Sequence, residues 1–335
     1  MTLANNTPYR TGALPLVDAA GHTRIVAVVK ATFTVSRSGV WSLADEPSPV
    51  RWNDVPWSPD AAESSVRFPS DGAPEKVGTD LLFVGEAVST RPVPYLDVAV
   101  QARSLRKTVR VHGERLFEKR GGACSIGPAA PFERRPVVYE LAFGGTSADG
   151  KLVERRNPVG RGIASSAADL DGKGAPCLED PRAPITSSSD RPAPIGLGAL
   201  SPHWLPRVTH AGTFDETWRK QRMPLLPLDF SPRYHNCAPP DQILDPPLSP
   251  GEEIAVLGMR EEGVLRFVLP PLHVVLFGKH ADGRTTTLRP HVDTVLVEPG
   301  RGRVEVTLRG AFSQGRGAST LREIRIDEEE GRLHG

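Results

Sequence analysis

Cysteine, net charge, long apolar runs and catalytic signatures are all scarce in this chain, and each shortage excludes something. Three cysteines, Cys124, Cys177 and Cys237, are spread over 335 residues. An odd number at such spacing builds no closed disulfide framework. A reducing compartment is expected, with the thiols as small buried hydrophobes or surface bystanders. Lysine and arginine total 41 against 40 aspartates and glutamates, a formal net charge of +1. That balance lacks the basic footprint of a nucleic-acid binder. The longest aliphatic run near the start, residues 25–29, is far too short to span a bilayer. The opening MTLANNTPYRTG has no basic stretch followed by an apolar one. A soluble, cytoplasmic protein without nucleic-acid or membrane partners is expected.

Familiar active-site motifs are missing too. There is no GxSxG elbow, HExxH pair or Walker loop, and Gly160-Arg161-Gly162 lacks a third glycine. Nine histidines are dispersed. His235 with Cys237, and His203 with His210, match no zinc-ligand spacing. Neither a metal, a cofactor nor a catalytic set is therefore expected. Carboxylates provide the one enzymatic alternative. Asp215, Glu216, Asp229 and Asp241 are close in sequence, and two of them could form a hydrolytic acid–base pair. Against this hydrolase reading, Asp215 and Glu216 fall in the first turn of an expected helix, where the dipole favours negative charge. Asp241 follows two prolines, where a turn-closing side chain belongs.

What the chain does contain is β-pattern at both ends. Residues 24–35 (RIVAVVKATFTV) are rich in β-branched side chains, and residues 36–39 are turn chemistry leading to Val40 and Trp41. A proline-rich loop over 47–74 follows, then strand-like runs at 80–88, 95–103, 107–116 and 137–143. The pattern returns at 253–258, 264–269, 273–277, 285–288, 294–297, 303–308 and 321–326. The acidic residues 327–330 read as a solvated tail. Between 151 and 250 lie 16 of the 33 prolines, and few runs there suit a strand or helix. Residues 165–189 are the expected mobile part. The predicted fold is mainly β: an antiparallel β-sandwich-like scaffold with a long proline-rich irregular insert carrying one short helix. It divides into an N-terminal β-region (1–145), the insert (146–250, helix 214–223) and a C-terminal β-region (251–335) packed on the first.

Residues 211–242, AGTFDETWRKQRMPLLPLDFSPRYHNCAPPDQ, organise this reading. Thr213 and Glu216 have capping-box spacing. Phe214 and Trp218 are four apart, as on one face of a short helix pressed into a core, and Pro224 should stop that helix near Met223. Beyond it, recurring prolines forbid a long ladder strand, yet the leucines and rings are too apolar for a free tail. An ordered, extended contact surface is expected. Upstream, Arg155, Arg156 and Arg161 flank Asn157-Pro158. They could grip a partner's carboxylates. They could equally pin an Asn-Pro turn in which Gly160 and Gly162 supply positive φ. Trp204 and Trp218 read as core rather than contact.

Taken in order, KATFTV (30–35), SDGAPEKVGTDLLFVGEA (70–87), VRVHGERLFE (109–118), PVVYELAFGG (136–145), RNPVGRG (156–162) and the 211–242 stretch carry a resemblance. The chain resembles the family known as domain of unknown function 2169, encoded beside type VI secretion effectors. Cys177 stands where that family's pattern calls for asparagine, which puts one polar loop contact in doubt. The resemblance implies an adaptor or chaperone that holds a cognate secreted effector, often by its spike-tip region. It also implies help in loading that cargo, with the spike itself a possible second contact. No catalytic residues come with it. The partner-binding candidates are Arg155, Arg156, Asn157, Arg161, Asp215, Trp218, Arg233, Tyr234 and Asp241. Proline has already restricted such a surface, so little conformational entropy is lost on docking, and free edge strands would allow pairing with an extended client.

Overall fold

The computed structural model of the protein describes residues 1–120, 123–314 and 319–329. Alternation in the long strand Thr23–Val35 sets the layout. Ile25, Ala27, Val29, Ala31 and Phe33 enter one core, while Lys30 and Thr32 occupy the opposite face. This strand pairs antiparallel with Arg10–Val17 on one side and Arg303–Gln314 on the other. Val292–Glu298, Thr79–Phe83 and Ile243–Leu244 continue the sheet, and Trp41–Leu43 folds back on Thr23–Val35 as the predicted hairpin. Thr79–Phe83 and Val292–Glu298 run parallel.

A second sheet, wholly antiparallel, orders Leu178–Glu179, Leu105–His112, Tyr95–Ala102, Glu253–Leu257 and Leu265–Val268. A third orders Thr2–Asn5, Leu321–Glu328, Val274–His280 and Thr285–Leu288. One apolar cluster joins all three, with Val98, Val109, Ile254, Leu276 and Ile326 facing the seven-stranded sheet's aliphatic side. The fold is mainly β, as the periodicity predicts. Strands from before residue 145 and after residue 251 share both larger sheets.

The other face of the seven-stranded sheet is polar and still buried. Asp80, Thr294, Thr307 and Lys30 stand side by side across four adjacent strands. Buried charges are tolerated only when paired and hydrogen-bonded, and here the loop over 47–74 supplies partners. Lys30 Nζ meets Asp71 at 2.6 Å and Glu305 at 3.3 Å. Arg51 forks onto Glu305 at 2.6 and 2.8 Å, and Ser48 donates to the same carboxylate at 2.5 Å. Arg309 pairs with Asp293 and donates to the Asp71 carbonyl at 3.1 Å. The loop is therefore riveted to the sheet by ions.

Several local expectations are corrected. Residues 137–143 are not one strand: Tyr139–Leu141 is a 3-10 turn closed by the Ala142 N–H on the Tyr139 carbonyl, and a two-residue strand begins only at Phe143–Gly144, beside Arg161–Gly162. The Asn157 side chain donates to the Tyr139 and Phe143 carbonyls at 2.8 and 3.0 Å. Residues 80–88 split into Thr79–Phe83 and the start of Glu86–Val93. The stretch 165–189, expected to be mobile, is tied down by Leu178–Glu179 pairing with Leu105–His112. Asp327 and Glu328 end a strand instead of forming a tail, and Glu328 accepts the Tyr9 hydroxyl at 2.6 Å; Glu330 lies outside the described residues. Helix α1 is Glu216–Gln221, shorter than predicted, and its N-cap is Asp215, not Thr213. Asp229 captures the Thr213 hydroxyl and backbone N–H, which leaves Asp215 to accept from Trp218 N–H at 2.7 Å. Nor is α1 pressed into the core: no residue of it is buried. Among the described residues no helix is long and apolar enough to cross a membrane.

Candidate functional site

The insert reaches the sheet through one clasp. Asp80, fully buried, accepts Lys76 Nζ at 2.8 Å, Asn236 Nδ2 at 2.9 Å and the backbone N–H of Cys237 at 2.8 Å. Lys76 also donates to Thr294 at 2.8 Å. Burial opposes the charge on Asp80, but Lys76 and the hydrogen bonds prevail and hold its carboxyl below the ordinary range. Nearby, Gln242 Nε2 donates to the carbonyls of Leu81 and Leu197 at 2.7 and 3.0 Å. The motif HNCAPPDQ thus grips SDGAPEKVGTDLL from across the chain.

Away from the clasp, residues 212–230 form a stapled excursion. Thr213 donates its N–H and hydroxyl to Asp229 at 2.9 and 2.8 Å, closing the base. Gly212, at φ +82°, lets the two arms of the base close up where a Cβ would strike Asp229 and Pro227. Inside, the Trp218 indole donates to the Leu225 carbonyl at 2.8 Å, and Phe214 stacks edge-on against Trp218 at 4.7 Å. Arg222 reaches the Ala19 carbonyl, tying the excursion to the turn before Thr23–Val35. The excursion carries exposed apolar side chains: Leu228 is 86% exposed, Met223 61% and Phe214 54%. Trp218, read as core, is only half-buried on this excursion, whereas Trp204 is buried as expected.

The structure divides the predicted residues among several places. Asp215 and Trp218 belong to the excursion. Arg233 and Tyr234 lie in the 3-10 turn Pro232–His235, where Arg207 donates to the Tyr234 carbonyl at 2.9 Å and Arg233 is exposed. Asn157 is wholly buried. Gly162 has the expected positive φ, +113°, but Gly160 is required by space: a Cβ there would lie 2.7 Å from the Ala142 carbonyl. Arg161 meets Glu114 at 2.7 Å, and Arg135 holds the same carboxylate at 2.6 Å. Both Arg161 and Glu114 line a cleft of about 450 Å³. Cys177, the departure noted above, sits with its Sγ 3.3 Å from Arg135. Arg155 is exposed.

Arg156 and Asp241 come together along a different cleft, of about 400 Å³. Arg156 is forked onto Glu154 at 2.7 and 2.6 Å. Asp241 pairs with Lys107 at 3.0 Å. Lys107 and Tyr139 line this cleft and were not singled out from sequence. Lys107 reads as one residue of an alternating strand, and Tyr139 as part of a strand that does not form. A lysine inside an apolar strand pattern was the available signal.

Reactive groups are muted. All three cysteines are free and buried, and burial foremost pushes the Cys237 thiol up to about 12, so it is not a thiolate at neutral pH. Among the described residues no three His, Cys, Asp or Glu side chains are grouped to hold a metal ion. No curated protein and no solved structure matches the chain. Residues 20–309 match the family described as "Uncharacterized protein conserved in bacteria (DUF2169)". With most of its length inside that match, the chain belongs to the DUF2169 family of bacterial proteins.

Proposed function

We propose that this protein is a cytoplasmic adaptor, or chaperone, that holds a secreted effector of a type VI secretion system and assists its loading on the spike. The stapled excursion over residues 212–230 carries this reading. It is closed at its base by Thr213 and Asp229, tied to the body by Arg222, and offers Phe214, Met223 and Leu228 to solvent. An ordered excursion loses little entropy on docking, and exposed apolar side chains carried on one such segment suit a protein interface. The choice of a secreted effector as occupant is taken from the motif order, which resembles that of effector adaptors.

The hydrolase alternative has less support. Asp215 caps α1, Asp229 closes the excursion and Asp241 is paired with Lys107, so each carboxylate already has a use in the fold.

Co-expression with the effector encoded beside it tests the proposal. A stoichiometric complex on a sizing column is expected. The double substitution Met223→Asp and Leu228→Asp should weaken it at least tenfold without moving the melting temperature. Separate elution of the two wild-type proteins would end the adaptor reading.

A further inference from the structure

The cleft beside Asp241 holds three features that the fold leaves unused. Tyr139 is 4% exposed, packs edge-on against Trp204 at 5.5 Å, and lies under Gly196, whose missing Cβ makes room for the ring. Its carbonyl is occupied by Asn157, but its hydroxyl has no hydrogen-bond partner among the described residues. The oxygen is not sealed in the interior but opens on the cleft, so phenylalanine would fill the same space and lose only the donor that faces it. Burial, reinforced by the charge of Asp241, holds the phenol protonated. It is a donor awaiting an acceptor.

Lys107 is the second feature. Its ammonium has three donors, of which Asp241 and Gln242 take two, at 3.0 and 2.9 Å. The lining also carries Arg106, Arg156 and Arg182 against the acids Asp180 and Asp241, an excess of positive charge. The third feature is the wall. Pro192 and Pro194 fix their own φ and push Arg191 and Ala193 to extended backbone. Ala193 and Ile195, two residues apart, line the cleft, and their N–H groups donate to nothing among the described residues. An extended segment with unpaired N–H groups is a template for another extended chain.

We propose that this cleft binds an extended peptide segment of a protein partner, its main chain pairing with residues 193–195 and a carboxylate seated between Lys107 and Tyr139. The inference rests on the adaptor reading only in taking the peptide from a protein client. The carboxylate comes from an acidic side chain or from a C-terminus, and both have the same chemistry.

Fluorescence anisotropy on the full chain tests it with three labelled probes. These are Val-Thr-Val-Thr-Glu as its C-terminal amide, Val-Thr-Val-Thr-Val with a free C-terminus, and the fully neutral Val-Thr-Val-Thr-Val amide. A carboxylate-bearing probe should bind at least fivefold more tightly than the neutral one, and which of the two does so identifies the source. Tyr139→Phe should erase that preference while leaving the melting temperature unchanged, since the hydroxyl supports no internal contact. Hydrogen exchange at Ala193 and Ile195 should slow when the preferred probe is added. Equal binding of all three probes, or a preference that survives both Tyr139→Phe and Lys107→Met, overturns the inference. An effector complex that still forms in that case leaves the adaptor reading intact. Separate elution alongside a confirmed probe preference removes the adaptor reading alone.

Discussion

Asp80 Oδ2 accepts the backbone N–H of Cys237 at 2.8 Å, although 157 positions of sequence separate the two residues. That bond joins a buried strand to an irregular, proline-rich segment that cannot form a ladder of its own. Removing the carboxylate leaves the Lys76 ammonium buried without its counter-charge. Breaking one side of such a pair costs about 3–5 kcal/mol. Asp80→Ala should lower the urea midpoint accordingly, and the Asn236–Gln242 region should lose amide protection before the sheet does. A change within error of wild type would show that the clasp is not a stabilising contact.

Asp229 makes the opposite case. Its bonds to Thr213 are exposed and local, and the Thr213 N–H and hydroxyl, in that order, hold its carboxyl below the ordinary range. Asp229→Ala is expected to leave global unfolding unmoved while amide exchange speeds up across residues 212–230. Coincident loss of protection in the strands would contradict a self-contained excursion.

Within RNPVGRG, neighbouring residues should behave differently. Asn157→Ala strips the Phe143 carbonyl of its side-chain donor and leaves the Tyr139 carbonyl with the Ala142 N–H alone, with an expected loss of about 1–3 kcal/mol. Arg156→Ala removes a half-exposed ion pair with Glu154, worth about 0–1 kcal/mol. Thermal melts of the two variants side by side measure the contrast; equal losses would count against it.

Acid should unfold the protein in two overlapping stages. Burial, then the charges of Arg309, Arg207 and Lys76, push His235 down to about 4. The unfolded ring, with a pKa of about 6.5, takes its proton first, so stability falls as pH drops from there toward 4. Burial acts against ionised Glu305 and Glu179, but Arg51 and Lys30 for the first, and His112 and Arg115 for the second, hold both at about 2. Their contribution is complete above the unfolded carboxylate value of about 4.3 and is lost as pH falls toward 2. Each tenfold change in proton affinity is worth about 1.4 kcal/mol. Melting temperature should therefore decline from about pH 6.5 and more steeply below the carboxylate range. His235→Gln should flatten only the upper stage; an unchanged profile would remove His235 as a cause.

The strands were legible where chemistry is local. Thr23–Val35 and its hairpin to Trp41–Leu43 followed from β-branched alternation and turn residues. The paired strands Tyr95–Ala102 and Leu105–His112 followed from period two. So did the position of a short helix ahead of Pro224, whereas the structure was needed to decide that the three thiols are buried and not surface bystanders. Less legible were residues whose state depends on distant partners. Tyr139 sits in a sequence that reads as a strand and forms a turn, braced by the Asn157 side chain from 18 positions away. Thr213 has the spacing of a cap and serves instead as half of a staple with Asp229.

By itself the sequence determined where most of the strands lie and that the middle is irregular. Tertiary structure alone decided which charges are buried together and which residues share a cleft. Hydrophobic period and turn chemistry act over a few neighbouring residues and can be read along the chain. Ion pairs such as Lys30 with Asp71, and the juxtaposition of Lys107, Tyr139 and Asp241, arise only when register brings remote strands and loops side by side.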